Sequence, residues 1–370
     1  MRRISVIVLM LGTVVIAQRG QAPPAPAAPA PVPPAIAEVI GSGNFSPMVA
    51  DLDKTIAFYH DVIGMTLSAN ESIRPLPWDT EVWHRDLHGL QGSPMRFATA
   101  RFPGGRMGVE MVEQGSIERR PVQPRPQDPG AVTYILLVRD VDKIFGKVKQ
   151  ALAPVVTTGG APIPVAAGAS RSRAVIVKDP DGHFVELLQL DPLPATAAPP
   201  DADLLGARLR ITVADTDQTL HLYRDQFGLP FQAGPLIADT ALTALMGLKG
   251  AQVRLSTAEI PQSNVQLEFL DVRGVDRKPL RARIEDPGST RVQLSVRNLE
   301  TAMKLIKSAG PSTTVSNTGR ILQDGTWEKG PIERPGVRWL TISDLNNIFL
   351  VLNDRPAGAQ TQAGRGRANP

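Results

Sequence analysis

The 370-residue chain contains no cysteine and only five histidines. Without cysteine it has neither disulfides nor reactive thiols, as fits an exported protein that depends on neither. The near absence of imidazole and the lack of thiolate also argue against a zinc or iron centre. An excess of one charge is lacking as well: 40 basic against 36 acidic residues give a net charge of only +4, too weak and scattered for a nucleic-acid-binding surface.

The N-terminus has the composition of a secretory signal. Arg2 and Arg3 precede the apolar run Ile4 to Ile16, which is shorter than the ~20 residues that a membrane span needs. The sequence therefore predicts a signal peptide over residues 1–22 and a secreted or periplasmic protein. Contact with a membrane is expected only through this segment.

Two further segments have compositions that do not form a core. Proline and alanine dominate residues 23–40, which predicts an extended linker. Residues 357–370 are rich in glycine, glutamine and arginine without apolar periodicity, which predicts a disordered tail.

A long internal repeat organises the rest of the chain. The stretch from Val49 through Asp51 to Gly64 reappears 164 residues later, from Val213 through Asp215 to Gly228. Both copies begin as a strand, turn at the aspartate and continue as an amphipathic helix that the glycine ends. A constant offset without gaps indicates duplication.

A second repeated pattern doubles the number of units. Asp-Pro-Gly at 128–130 precedes Val-Arg-Asp-Val at 138–141, just as the same triplet at 286–288 precedes Val-Arg-Asn-Leu at 296–299. The chain is thus predicted to hold four strand–helix modules. They begin near Asn44, Thr133, Arg208 and Arg291. We expect them to pair within each half, giving one domain over 41–195 and a second over 203–356.

Hydrophobic spacing predicts how each module packs. Apolar residues recur every three or four positions in the helices, for example at Leu52, Ile56, Tyr59 and Ile63, and at Ile144, Val148 and Leu152. Strand residues alternate faces, so that arginines and glutamates such as Glu110 and Glu268 point away from the helices. A strand carboxylate in a closed core would cost several kcal/mol, so this polar face should line a concavity, which we call the cup.

These motifs resemble the vicinal oxygen chelate superfamily, which contains glyoxalase I, fosfomycin-resistance enzymes, bleomycin-resistance proteins and extradiol dioxygenases. The resemblance is carried by Val49-x-Asp51-x-Asp53 through Gly64 and by Asp179-Pro180-Asp181-Gly182-His183-Phe184-Val185-Glu186-Leu187, and covers roughly 41–356. It implies an α+β fold of two domains, each made of two paired βαβββ modules that form a curled mixed sheet around a cleft.

The resemblance also implies where metal ligands would stand. In the first half those positions carry Asn44, Glu110, Thr133 and Glu186; in the second half they carry Arg208, Glu268, Arg291 and Val351. No histidine falls on any of them, so no transition metal is expected. The carboxylates and amide of the first half leave a hard divalent ion such as Mg²⁺ as the minor alternative. His84 and His88, four residues apart, form a second weak candidate pair.

Two interpretations remain open for each cup. Glu110 and Glu186 are candidate catalytic residues, since carboxylates that approach each other in a dry pocket raise one pKa and form an acid and base pair. Otherwise each is hydrogen-bonded to a neighbouring strand. Arg208, Arg210 and Arg291 are candidates for binding an anionic ligand, or form salt bridges with Glu268.

The sequence therefore favours an exported protein that binds a small organic molecule in its clefts without a transition metal. Asn44, Thr133, Arg208, Glu268 and Arg291 are the predicted ligand-binding residues. The alternative is a lyase, isomerase or dioxygenase that acts in the first domain through Glu110 and Glu186. Neither the ligand nor the oligomeric state follows from the sequence.

Overall fold

The computed structural model describes residues 37–68, 75–81, 87, 90, 93–103, 107–165, 171–308, 332–334 and 337–354. The predicted signal peptide, most of the predicted linker, the predicted tail and the pair His84 and His88 lie outside these residues. Across the part that is described, no helix is long and apolar enough to cross a membrane.

The described residues form four βαβββ modules, as the repeats predict. The strands are β1 (Val39–Val49), β2 (Thr66–Leu67), β3 (Met95–Arg101), β4 (Gly108–Gln114), β5 (Val132–Val138), β6 (Ile163–Pro164), β7 (Arg173–Lys178), β8 (Phe184–Gln189), β9 (Leu204–Val213), β10 (Gln232–Ile237), β11 (Gln252–Glu259), β12 (Val265–Arg273), β13 (Thr290–Val296), β14 (Ile332–Arg334), β15 (Val337–Ser343) and β16 (Phe349–Asp354). The helices are α1 (Leu52–Ile56), α2 (Val141–Gln150), α3 (Thr216–Leu220), α4 (Thr240–Leu245) and α5 (Leu299–Ser308). π-Helical turns, Ala57–Val62 and His221–Gln226, extend α1 and α3.

The strands assemble into two eight-stranded mixed sheets. The first sheet has the order β14-β15-β16-β13-β1-β4-β3-β2, and the second has the order β10-β11-β12-β9-β5-β8-β7-β6. The first sheet therefore joins the first and fourth modules through β1 and β13, and the second joins the two middle modules through β5 and β9. The predicted α+β class with two mixed sheets is confirmed.

The predicted pairing of modules within each half is wrong. Each half, 41–195 or 203–356, contributes one module to each sheet, so that the two ends of the described chain meet in the first sheet. Both pairings would bury equivalent apolar faces, because the four modules share one pattern of alternation. The edges that meet are decided by the whole chain and not by any single module.

Side-chain caps begin the helices at the predicted aspartates. Asp51, Asp140 and Asp215 each accept a hydrogen bond from the backbone N–H three residues later, and Asn298 does the same for α5. Such caps satisfy N–H groups that the helix leaves unpaired and contribute about 1 kcal/mol each.

The last strand of a module fixes the start of its helix. Three residues beyond the predicted ligand position, Glu113 accepts from Leu52 N, Gln189 accepts from Val141 N, and Asp354 accepts from Leu299 N. The repeat of this contact shows that the polar residues near the ends of these strands hold the module together. Only the side chains on the opposite strand face are available to a cup.

One large apolar core lies between the helices and the sheets and includes strands of both sheets. Tyr59 is fully buried there and donates to Asp179 Oδ2 at 3.1 Å, while its copy Tyr223 donates to Asp344 Oδ2 at 2.8 Å. These tyrosines are structural, as their helix positions predict. Leu152 is an exception, because α2 ends at Gln150 and leaves the leucine 87% exposed.

The two Asp-Pro-Gly turns hold the modules in register. Gly130 and Gly288 have φ values of 92° and 95°, and their N–H groups donate to Thr212 O and Met48 O of other modules. A Cβ at Gly288 would lie 2.3 Å from the carbonyl oxygen of Val122, so both the backbone conformation and the space require glycine there.

A smaller correction concerns the N-terminal boundary. Strand β1 begins at Val39, inside the segment predicted as linker, and Ala37 and Val39 are buried. Their backbone N–H groups donate to the carbonyls of Gln226 and Phe227, which attaches this end of the chain to the third module.

Candidate functional site

A polar cluster occupies the cup of the first sheet and is centred on Glu110 of β4. Asn44 Nδ2 donates to Oε1 at 3.2 Å, while Ser46 Oγ and Gln293 Nε2 donate to Oε2 at 2.7 Å and 2.9 Å. Every one of these contacts is donated to the carboxyl group, which is the arrangement of an ionised acceptor. Two strands of the first module and one strand of the fourth thus converge on one carboxylate.

The backbone of β1 makes room for Gln293. An alanine Cβ at Gly43 would lie 2.2 Å from Gln293 Oε1, so the glutamine can cross this strand only because residue 43 has no side chain. The same oxygen accepts from Asn44 N at 3.3 Å. The register of β1 shifts between Ser42 and Phe45, where Gly43 lies.

Arg291 supplies a positive charge beside this cluster. It lies directly opposite Ser46 in the β1–β13 ladder and is 2% exposed. Burial lowers the pKa of Arg291 to about 10, against the opposing effect of the nearby Glu110 carboxylate. The guanidinium therefore remains protonated at neutral pH, and the described lining of this cup carries one buried cation and one anion.

A cavity of about 140 Å³ opens onto these groups. Its described polar residues are Ser46, Glu110, Arg291 and Gln293, and the other described residues that line it are apolar. These apolar residues are Leu87, Met95, Phe97, Val112, Trp339 and Val351. A few convergent polar groups in an apolar concavity is the usual form of a small-molecule site.

The cup of the second sheet contains a buried ion cluster. Arg210 donates to Glu186 Oε2 at 2.7 Å through Nη1 and to Glu268 Oε2 at 2.8 Å through Nε. Arg208 adds a longer contact of 3.3 Å to Glu268 Oε1. Burial raises the pKa of Glu186; Arg210 opposes this effect, and the Glu268 charge adds to it.

The rest of this second cup is filled by apolar side chains. Helix α4 and the segment after it place Leu245, Met246 and Ala251 against Ile135 and Ile176 of the sheet. The two cups therefore differ: the first retains a cavity over its charged groups, and the second is packed over them. A shallower groove of about 560 Å³ borders the second sheet near Arg208 and is open to solvent.

The structure separates the two predicted catalytic carboxylates. Glu110 lies in the first sheet and Glu186 in the second, so the expected acid and base pair is wrong. Arg291 likewise lies in the first sheet, apart from Arg208 and Arg210 in the second.

Other predicted neighbours do come together. Asn44 contacts Glu110, and Arg208 contacts Glu268, as the salt-bridge interpretation predicts. Thr133 lies opposite Arg210 in the β5–β9 ladder and belongs to the second cup.

Neither donor set fits a divalent cation. The four implied ligand positions of the first sheet carry Asn44, Glu110, Arg291 and Val351, with one carboxylate, one amide, a buried cation and an apolar group. Those of the second carry Thr133, Glu186, Arg208 and Glu268, and the guanidinium of Arg210 already bridges both carboxylates. Hard cations bind several oxygen ligands and would be repelled by a guanidinium in their shell. The described residues contain no cluster of three or more His, Asp or Glu arranged for a metal.

The remaining described histidines lie outside the cups. His183 is buried, and its Nδ1 lies 3.2 Å from Asp179 Oδ2. The same carboxylate oxygen accepts the hydrogen bond from the Tyr59 hydroxyl. Burial lowers its pKa, but the Asp179 charge and hydrogen bond outweigh this and hold the pKa of His183 above its ordinary value. Its contacts with Asp179 and with the carbonyl oxygen of Ser289 make it a structural residue, and His60 and His221 are exposed on their helices.

The residues that sequence reasoning missed are Gly43, Ser46 and Gln293. Strand alternation already assigns Ser46 and Gln293 to the faces of Asn44 and Arg291, which lie two residues earlier. The pairing of β1 with β13, which brings Gln293 to Glu110, could not be inferred from the sequence.

Comparison with known proteins agrees with this architecture. Residues 44–187 match the model of the Glyoxalase/Bleomycin resistance protein/Dioxygenase superfamily. The match spans the first and second modules, and the predicted resemblance is confirmed. No curated protein sequence matches the chain.

Solved structures show the same fold across both halves. Glyoxalase I from Zea mays superposes with a TM-score of 0.51 at 16% identity, covering 86% of this chain and 92% of that chain. A dioxygenase-like protein from Bacillus subtilis subsp. subtilis str. 168 gives a TM-score of 0.50 at 12% identity, covering 87% of each chain. At these identities the similarity establishes the fold alone.

Proposed function

We propose that this protein binds a small organic molecule in the cavity of the first sheet and that it does so without a transition metal. The main support is the placement of Glu110 and Arg291 in a cavity of about 140 Å³ with apolar walls. Superfamily membership is consistent with small-molecule binding.

The donor chemistry supports binding without a metal. Around Glu110 the neighbouring groups are an amide, a hydroxyl and a second amide, all donating, with a guanidinium beside them. A cation entering this cup would face Arg291 and displace three hydrogen bonds. The same groups suit a ligand that is recognised by hydrogen bonds and shape.

The two cups have different roles in this proposal. In the second, the carboxylates are both engaged by Arg210 and the space above them is packed, so this sheet serves as a scaffold. In the first, the side chains of Met95 and Val351 line a cavity, and a ligand that fills it would add contacts to those they already make within the core. Binding is therefore assigned to the first cup.

Methionine methyl NMR tests the proposal directly. The protein is labelled at its nine methionines, and a library of small fragments is titrated while the methyl signals of Met95 in the cavity and Met246 in the packed second cup are followed. We expect saturable shifts at Met95 and none at Met246. Shifts of equal size at both, or at neither, would contradict binding in the first cup.

A cavity-filling substitution provides the matched variant. Val351→Phe introduces a ring into the cavity and should remove the Met95 response, because the ligand and the ring compete for one space. Leu236→Phe, at a residue 46% exposed on β10, adds a ring elsewhere and should leave the response intact. Metal analysis of the purified protein complements this test: stoichiometric Mn, Fe, Ni or Zn that survives dialysis would refute metal-free binding.

We also propose that the protein is exported through its N-terminal segment. The support is the pair Arg2 and Arg3 before the run Ile4 to Ile16. Cell fractionation with mass spectrometry of the mature N-terminus tests this. Cleavage near Ala22 in an exported fraction is expected, and an intact N-terminus in the cytosol would refute export.

A further inference from the structure

In the part of the chain that the structure describes, the cavity of the first sheet combines one anion, one cation and apolar walls, and this combination restricts the chemistry of a ligand. We propose that the site selects an uncharged, planar molecule of about one ring that places an N–H donor beside a carbonyl oxygen, as an amide or lactam does. This inference rests on the proposed function and adds the ligand class to it.

The hydrogen-bonding capacity of Glu110 calls for a donor on the ligand. A carboxylate offers about four acceptor sites, and Asn44, Ser46 and Gln293 occupy three of them. The site that remains belongs to Oε1, which among the described residues receives the Asn44 amide at 3.2 Å. A ligand N–H fits this oxygen, and a ligand carboxylate would meet it as a second anion.

The charge of Arg291 favours an acceptor on the ligand. The guanidinium is positive at neutral pH and lines the same cavity as Glu110. A carbonyl oxygen carries the partial negative charge that a guanidinium attracts, without a full charge that must be desolvated. Since the charges of Glu110 and Arg291 cancel, an ionic ligand would leave a net charge among the described residues of this buried space, and a neutral ligand would not.

The size and walls of the cavity limit the rest of the ligand. Its volume of about 140 Å³ is close to the ~150 Å³ that is known to hold benzene in an engineered protein cavity. Phe97 and Trp339 supply aromatic surfaces, and Met95 adapts to a ring edge. One ring with its polar group directed at Glu110 and Arg291 fits this space.

Three compounds of equal shape test the charge preference. Benzamide carries an N–H donor and a carbonyl acceptor, benzoate carries two acceptors and a negative charge, and benzamidinium carries donors and a positive charge. Each is titrated into the full-length protein at pH 7, with Met95 methyl shifts as the readout and Met246 as the internal control. We expect benzamide to bind at least tenfold more tightly than either ion.

Substitution of Glu110 should change this order. Glu110→Gln keeps the size of the side chain, and Asn44 can turn its own amide to accept from the new NH₂ group, but the cup then carries a net positive charge. Benzoate affinity should rise at least tenfold relative to benzamide. Glu259→Gln, at an exposed carboxylate of β11, serves as the control and should leave the order unchanged.

The outcomes separate the inference from the function on which it rests. If benzoate or benzamidinium binds the wild type more tightly than benzamide, the neutral ligand class is refuted and binding in the cavity stands. If Glu110→Gln leaves the order unchanged, the charge argument fails even where benzamide is preferred. If none of these compounds and no library fragment shifts Met95, the proposed function itself is refuted.

Discussion

Replacing Arg210 by methionine tests whether its guanidinium stabilises the two buried glutamates of the second cup. The guanidinium bridges Glu186 and Glu268, which are 2% and 1% exposed, and its loss would leave Glu186 without this partner and Glu268 with the longer contact to Arg208. Removing one partner of a buried ion pair costs about 3–5 kcal/mol, because the remaining charge is left unpaired. We expect Arg210→Met to lower the free energy of unfolding by about 4 kcal/mol, a large part of the ~5–15 kcal/mol typical of a folded domain.

The loss should depend on pH. In the variant, Glu186 loses the guanidinium that opposes the effect of burial, so its pKa should rise further above that of an unfolded chain. A raised pKa in the folded state gives a stabilisation that is present at low pH and lost as the pH rises through that pKa. The deficit relative to wild type should therefore be smaller at pH 5 than at pH 8.

Urea unfolding monitored by circular dichroism at both pH values measures these quantities. Arg254→Met on β11 is the control, since its pair with Asp217 is solvent-accessible and worth at most ~1 kcal/mol. Combining Arg210→Met with Glu186→Gln and Glu268→Gln should recover part of the loss, because neither buried carboxylate then remains as an unpaired charge. A deficit for Arg210→Met no larger than that of the control, or one that grows as the pH falls, would refute the reasoning.

Three further predictions concern single contacts. Gly43→Ala places a Cβ where the Gln293 side chain crosses β1 and should displace that side chain from its hydrogen bond with Glu110. The loss of this charge-assisted hydrogen bond should weaken ligand binding, followed by the Met95 methyl shifts, by about tenfold. Unchanged binding in the NMR titration would contradict this prediction. Tyr59→Phe should cost about 1–3 kcal/mol in urea unfolding, because it leaves the buried Asp179 with one donor fewer. Burial raises the pKa of Asp344 to about 6, so its contribution to stability is complete below pH 4 and is lost as the pH rises through 6. Asp344→Asn should flatten the dependence of unfolding free energy on pH in that range, and an unaltered slope would exclude this assignment.

Much of the local structure follows directly from the sequence. The Asp51 and Asp215 caps, the apolar stripe that buries Tyr59, and the alternation of strand faces each depend on residues a few positions apart. Such short-range patterns define a module whatever its partners are, and the 164-residue repeat then counts the modules. The class of fold was therefore available from the sequence.

The composition of each cup was decided by the tertiary structure alone. Alternation places Glu110, Glu186 and Arg291 on concave faces but does not specify which modules share a sheet. The four modules present similar edges, and the contacts of β1 with β13 and of β5 with β9 join residues that are far apart along the chain. These long-range pairings bring Gln293 and Arg291 to Glu110 and send Glu186 to Arg210. Local propensity determines which face a side chain occupies, and only the closure of the complete chain determines what it faces.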